Sequence, residues 1–181
     1  MQKITVTYMT PRDLREVCEI ERSVFPDPWS YNMFEEELSL PEMYTLVTVR
    51  LEGKVVGYGG LLAVESEGHI TNLAVSPDHH SKRIGRIILG ELIKLANLKS
   101  VRNLSLEVRT DNIIAQKLYR EFDFSSIGLR RHYYGYGENA LIMSAEDIGD
   151  KDYLKRMRDH LEATPYKVQS YVEQGRPRTY Y

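Results

Sequence analysis

Residues Ile70 to Ile93 read ITNLAVSPDHHSKRIGRIILGELI, and this stretch restricts the fold more than any other. An apolar strand pattern ends at Val75, and Ser76-Pro77-Asp78 closes it. A polar loop carries Lys82, Arg83 and Gly85. A helix then runs from Ile84 to about Asn97, with Ile87, Ile88, Leu92, Leu95 and Ala96 on its apolar side. A loop that feeds a helix start exposes unpaired backbone N–H groups and the positive end of the helix dipole. Such a site suits a pyrophosphate, and Lys82, Arg83 and Arg86 add positive charge there. A solvated basic loop before a surface helix fits the spacing equally well.

The flanking segments supply a sheet. Lys3 to Tyr8 alternates apolar and polar residues and reads as a strand. Thr10 and Pro11 open a helix that runs to about Ser23. FPDPWS, Phe25 to Ser30, breaks it, and Ser30 can cap a second helix from Tyr31 to about Leu38. Tyr44 to Arg50 and Val55 to Ala63 read as strands joined by a turn at Glu52-Gly53. Leu104 to Arg109 is a further strand, and Asn112 to Glu121 a short helix with Asp111 and Asn112 as capping candidates. The last two strands, Phe124 to Tyr133 and Asn139 to Ser144, flank a glycine-containing turn at Tyr134 to Glu138. The order strand, two helices, three strands, helix, strand, helix, two strands predicts an α/β (α+β) fold. Its mixed central sheet has about seven strands, with helices on both faces. Residues 1–146 make up this domain, and residues 147–181 a C-terminal helix and tail. Leu154, Met157 and Leu161 are at helical spacing between Lys151 and Glu162. Pro165, Gly175 and Pro177 then predict a loosely held tail without a catalytic part.

Composition narrows the function. The apolar fraction of 42% and charged fraction of 28% suit a soluble domain with an adequate core. Cys18 is the single cysteine, so no intramolecular disulfide and no thiolate cluster for zinc is expected, which fits a cytoplasmic setting. The N-terminal residues lack a long apolar run, so neither a signal peptide nor a membrane anchor is expected. A formal net charge of -2 gives no footprint for direct nucleic-acid binding, yet leaves room for a basic protein substrate.

A second stretch, LSLEVRTDNIIAQKLYREFDF, carries two candidates for chemistry. On a strand, Leu104, Leu106 and Val108 share one face, and Ser105, Glu107 and Arg109 the other. A carboxylate in mid-strand is costly unless it has a partner, which makes Glu107 either a general base or half of an ion pair with Arg109 or another cation. Tyr119 follows on the short helix, and alone it reads as a packing aromatic.

Four blocks resemble one family: FPDPWS, NLAVSPDHHSKRIGRIIL, LEVRTDNIIAQKLY and RRHYYGYGENALIM. Together they are similar to the GNAT N-acetyltransferases and, within them, to the ribosomal-protein alanine N-acetyltransferases of the RimI type. The resemblance spans roughly Ile4 to Met143. It implies the GNAT fold, acetyl-CoA as co-substrate without a metal, and a protein N-terminus, that of a ribosomal protein, as acceptor. Leu73, Ala74 and Val75 match the strand that pairs with the pantetheine arm and polarises the thioester. Ser81, Lys82, Arg83, Ile84, Gly85 and Arg86 match the pyrophosphate loop, and Asn112 a cofactor-contacting asparagine. Glu107 matches the general base and Tyr119 the general acid. Phe25 and Trp29, with Arg131, Tyr133 and Tyr134 and their neighbours Arg130 and His132, match walls of the peptide site. The sequence departs from the family pattern at four places: His80 stands for a glutamine or arginine, Arg83 and Asp123 stand for glycines, and Asp27-Pro28 lengthens the FPWS segment. Two other readings remain at this point: a GNAT enzyme acting on lysine or a small amine, and a non-catalytic acyl-CoA-binding scaffold.

Overall fold

The computed structural model describes residues 2–135 and 137–172. Gly175 and Pro177, where the sequence predicts a loose tail, lie outside the described residues. Among the described residues there are eight strands and five α-helices. They are β1 (Lys3–Tyr8), α1 (Leu14–Val24), α2 (Tyr31–Leu38), β2 (Tyr44–Leu51), β3 (Lys54–Val64), β4 (Glu67–Val75), α3 (Ile84–Leu98), β5 (Asn103–Arg109), α4 (Ile113–Glu121), β6 (Ser125–Gly135), β7 (Glu138–Ala145), α5 (Lys151–Glu162) and β8 (Lys167–Ser170). One sheet holds all eight, in the order β6-β7-β5-β4-β3-β2-β1-β8. The β4–β5 and β1–β8 pairs are parallel and the others antiparallel.

The mixed sheet is the expected one with an added strand. β8 comes from the segment expected to be a loose tail, and it pairs with β1 through Ile4↔Val168 and Thr5↔Gln169. Four residues are too short for an alternating pattern to register in the sequence. Burial secures the segment instead, because Tyr166 and Val172 on either side enter the main core.

Alternation along the strands sorts the apolar residues into two layers. Val47, Val49, Val56 and Ile70 face α3, whose Ile87, Ile88, Leu89 and Leu92 are fully buried, and Tyr153 and Met157 of α5 join the same cluster. Leu46, Val55, Tyr58 and Ala74 face the other way and meet Leu14, Val17, Cys18 and Ile20 of α1 and Phe34 of α2. Gly57 and Gly59 let α3 lie close to β3, since a Cβ at either would come within 3.0 Å of Ile88 atoms. Among the described residues, no helix is long and apolar enough to cross a membrane.

A discontinuity in this sheet creates the site. β4 pairs with β5 from Glu67↔Asn103 to His69↔Ser105 and no further, although both strands continue. Where pairing stops, the register of β4 against β3 jumps: Leu61 faces Ile70 and Gly60 faces Asn72, so Thr71 is an extra residue. Such a bulge bends its strand. β4 swings away from β5 and leaves an opening at the sheet's centre.

Candidate active site

The opening is a cavity of about 580 Å³ lined from five segments of chain. Leu73, Ala74 and Val75 of β4 form one edge, and Glu107 of β5 the other. Ser81, Arg83, Ile84, Gly85 and Arg86 line its α3 end, and Asn112 and Tyr119 of α4 its opposite wall. Phe25 and Trp29 reach it from the α1–α2 connection. Thus thirteen expected residues, from three of the four blocks of sequence, meet in one space.

The α3 end suits an anion for a backbone reason. None of the N–H groups from Ser81 to Gly85 finds an acceptor among the described residues, and Arg86 N–H reaches back to the Arg83 carbonyl at 3.1 Å. Ser81 at φ 61° and Arg83 at φ 64° are both left-handed, so the loop turns sharply into the helix. Consecutive open N–H groups at the start of a helix form a cradle for phosphate oxygens. The donor set therefore fits the pyrophosphate of an acyl-CoA.

The basic side chains around the cradle are more committed than the sequence suggests. Lys82 does not line the cavity, and its ammonium donates to the Asp78 carbonyl at 2.8 Å. Arg83 donates to the Ala163 carbonyl at 2.9 Å. Arg86 is paired with Glu121 of α4 at 2.6 Å. The first two bonds leave the cationic charge uncompensated, whereas Glu121 offsets that of Arg86. Asn112 caps α4, with its side-chain oxygen accepting from Ala115 N–H at 3.0 Å. His80 also supports the loop, its Nε2–H donating to the Val75 carbonyl at 2.8 Å.

Glu107 stands where β4 and β5 diverge. Its side chain is 12% exposed and has two cationic or potentially cationic partners, His69 Nε2 at 2.8 Å and Arg130 Nη1 at 3.0 Å. Arg109 is not one of them, because it forks onto both carboxylate oxygens of Glu138 at 2.9 and 3.0 Å and also reaches Asp111. These carboxylates hold the Arg109 guanidinium's affinity for its proton above the ordinary value. The sequence did not single out His69. Its Nδ1 lies 2.9 Å from the Ser105 hydroxyl, so Ser105, His69 and Glu107 form a hydrogen-bonded line. With Nε2 donating to Glu107, the ring is neutral if Ser105 donates to Nδ1 and cationic if Nδ1 donates to Ser105. Tyr119 is 8% exposed and packs on Phe124 with ring centroids 6.0 Å apart.

Residues on the acceptor side divide. Phe25 and Trp29 line the cavity, but Arg131 and Tyr133 do not. Both are exposed on β6, and Tyr134 is on the same strand with its side chain outside the described part. The block meets the site through Arg130, which pairs with Glu107 and lies 5.1 Å from the centre of the Tyr133 ring. Alternate residues on a strand point to opposite sides, which is why Arg130 and Arg131 part company.

Glu21 is a cavity residue that the sequence reading missed. It is 2% exposed, one oxygen accepts the Trp29 N–H at 2.9 Å, and the other has no partner among the described residues. Burial pushes its carboxyl up to about 7, against a smaller opposing effect of the Trp29 N–H. Glu37 of α2 is also buried and is likewise pushed up to about 7 by burial. An acid on the apolar side of α1 was the available signal for Glu21, since such placement is rare without a task. Among the described residues, no group of three or more His, Cys, Asp or Glu side chains is placed to hold a metal ion.

Known proteins resemble the chain in sequence and in fold. The acetyltransferase (GNAT) family pattern matches residues 14–124. The N-alpha-acetyltransferase RimI of Mycobacterium tuberculosis is 34% identical over 155 residues, covering 82% of this chain and 96% of that protein. The ribosomal protein bS18-alanine N-acetyltransferase of Escherichia coli is 31% identical over 143 residues, covering 77% of this chain and 95% of that protein. A crystal structure of the ribosomal-protein-S18-alanine N-acetyltransferase from Escherichia coli matches with a TM-score of 0.73 at 30% identity, covering 80% of this chain and 94% of that one.

Proposed function

The chain belongs to the GNAT family of acetyltransferases, and from that premise we propose that it moves the acetyl group of acetyl-CoA to the α-amino group of a protein, an N-terminal alanine of a ribosomal protein. The observation that carries the reading is the single cavity joining the open N–H cradle of residues 81–85 to Glu107 and Tyr119. Similarity to relatives named for acetylating the alanine of ribosomal protein bS18 supports the choice of acceptor. A cytoplasmic setting goes with that acceptor.

Acetyl-CoA supplies an activated thioester, and the chain's residues hold it and manage protons. The cradle before α3 takes the pyrophosphate. Backbone N–H groups of Leu73 to Val75, on the reach of β4 that is not paired with β5, polarise the thioester carbonyl. Glu107 accepts the proton lost by the attacking amine, directly or through water, while Arg130 and His69 fix its carboxylate. Tyr119 gives a proton to the departing thiolate. The attack is direct, within a ternary complex.

The acceptor's own chemistry favours an N-terminus. An α-amino group has a pKa near 8 and a lysine side chain near 10.4, so neutralising lysine at the same pH demands about 3 kcal/mol more. A carboxylate held by the Arg130 guanidinium and the His69 imidazole is a modest base, suited to the easier task. The test is incubation with acetyl-CoA of peptides with free alanine N-termini and of blocked peptides carrying lysine, followed by mass spectrometry. Acetylation of the free N-terminus alone is expected. Equal or faster modification of the blocked lysine peptide assigns the enzyme to lysine, and a chain that binds acetyl-CoA but modifies neither is a scaffold.

A further inference from the structure

Two residues stand where the resembling family carries glycine, and both adopt the backbone conformation that glycine tolerates. Arg83, at the N-cap of α3, has φ 64°, and Asp123, just beyond α4, has φ 60°. A left-handed backbone is disfavoured for residues with a Cβ. Both side chains nevertheless reach the same element, α5. Arg83 donates to the carbonyl of Ala163, the C-cap of α5, at 2.9 Å. Asp123 accepts from Nε and Nη2 of Arg156 at 3.0 and 2.7 Å.

Contacts between these two ties fasten α5 along its length. The Tyr153 hydroxyl donates to the Phe122 carbonyl at 3.2 Å, and Phe122 packs on His160 with ring centroids 5.5 Å apart. Leu161 presses on α3 at Gly90, where a Cβ would lie 2.5 Å from its side chain. α5 therefore grips α3 and its preceding loop with one part, and the end of α4 with another. These are the two facing walls of the cavity, one bearing the N–H cradle and the other Asn112 and Tyr119. The walls also meet directly through Arg86 and Glu121.

We infer that α5 is a brace that sets the spacing of the two walls of the acetyl-CoA cleft, and that Asp123 and Arg156 are positioning residues for acetyl-CoA binding. The inference rests on the proposed use of the cavity. It assigns a role to the segment that the sequence marks as a mere appendage. It also explains why side chains occupy two left-handed positions: a glycine there would relieve the backbone but could not tie the wall to the helix.

The decisive variant is Asp123→Gly in the full chain, since it removes strain and the tie together. Acetyl-CoA affinity is measured by calorimetric titration and thermal stability on the same samples. The expected result is an affinity weakened by up to about fivefold, the range open to an exposed ion pair, with a Tm within about 4 °C of the natural chain's, because relief of the left-handed backbone offsets most of the lost tie. Arg156→Met keeps the side-chain stem but removes the tie, and should weaken binding to the same degree. Arg156→Lys, which keeps a charge near Asp123, should recover part of the loss. Natural affinity in both Asp123→Gly and Arg156→Met overturns the brace, as does a loss of affinity accompanied by a fall in Tm of more than about 4 °C. Failure of the natural chain to bind acetyl-CoA overturns the proposed function and the brace with it.

Discussion

The two sides of the cavity are built by different means. The acetyl-CoA side is made from segments that are continuous in sequence: the end of β4, the loop, the start of α3, and the β5–α4 pair. Its proposed ligand groups are backbone N–H donors, so on that proposal the shape of the loop matters more than any one side chain. The acceptor side is assembled from distant pieces. Phe25 and Trp29 come from the α1–α2 connection, Trp29 is held by the buried Glu21, and the β6 block reaches the site through Arg130. The difference predicts that the backbone-built side tolerates side-chain substitutions that would disable the other.

The largest effects should fall where the two sides meet. Glu107→Gln keeps the shape and removes the proton acceptor, so turnover should drop by about 10²-fold or more. Acetyl-CoA affinity, measured by titration, should stay within about twofold because the carboxylate is remote from the cradle. Natural turnover across the pH range would mean that Glu107 is only an ion-pair partner of His69 and Arg130. Tyr119→Phe keeps the ring on Phe124 and removes the hydroxyl. Turnover should fall by roughly 10²-fold where chemistry limits the rate. An unchanged rate would leave Tyr119 a packing residue.

A smaller effect, confined to the acceptor side, concerns pH. The Glu21 carboxyl titrates near 7 in the folded chain against an ordinary value of 4.5. A raised value means the folded state holds the proton more tightly than the unfolded state does. The associated stability is fully present below 4.5 and is lost as pH rises through about 7, on the order of 1–3 kcal/mol. Glu37 follows the same course. Glu21→Gln should halve this decline, measured as unfolding free energy between pH 5 and pH 8, while keeping an acceptor for Trp29 N–H. An unaltered slope would show that Glu21 is not buried against Trp29 in solution, and the acceptor side would lose its anchor.

The same division explains what could be read from the sequence. Strand and helix periods placed β1 to β7 and α1 to α5, because each exceeds the length at which a period becomes visible. The contiguous blocks named residues that the structure brings into one cavity, among them both proposed proton-transfer residues. What stayed hidden depends on partners far apart in the chain. Glu107 pairs with His69 and Arg130, neither of them its strand neighbour Arg109. The anchoring role of Glu21 appears only when Trp29 folds back over α1. β8 is legible only beside β1. The basic side chains of the loop invited an assignment to phosphate that bonds to Asp78 and Ala163 and the pair with Glu121 modify.

The smallest expected effect is the sharpest test of a backbone-built site. Arg83→Gly replaces the residue that departs most from the family loop. Its φ of 64° and ψ of 11° are left-handed, so glycine should relieve about 1 kcal/mol of strain. Two losses oppose that gain. The bond to the Ala163 carbonyl is exposed to solvent, which limits its worth to about 1 kcal/mol or less. Glycine also makes the unfolded chain more mobile, at roughly 0.5–1 kcal/mol. The sum runs from about 0.5 kcal/mol of stabilisation to about 1 kcal/mol of destabilisation, so Tm should move by no more than about 4 °C. Acetyl-CoA affinity should not rise, because the N–H cradle is already formed while a nearby cation and one end of α5's hold are lost. Calorimetric titration and a thermal melt of both forms decide it. If Arg83→Gly is more stable and binds acetyl-CoA more tightly, strain governs the loop, and the natural chain is a weakened member of its family.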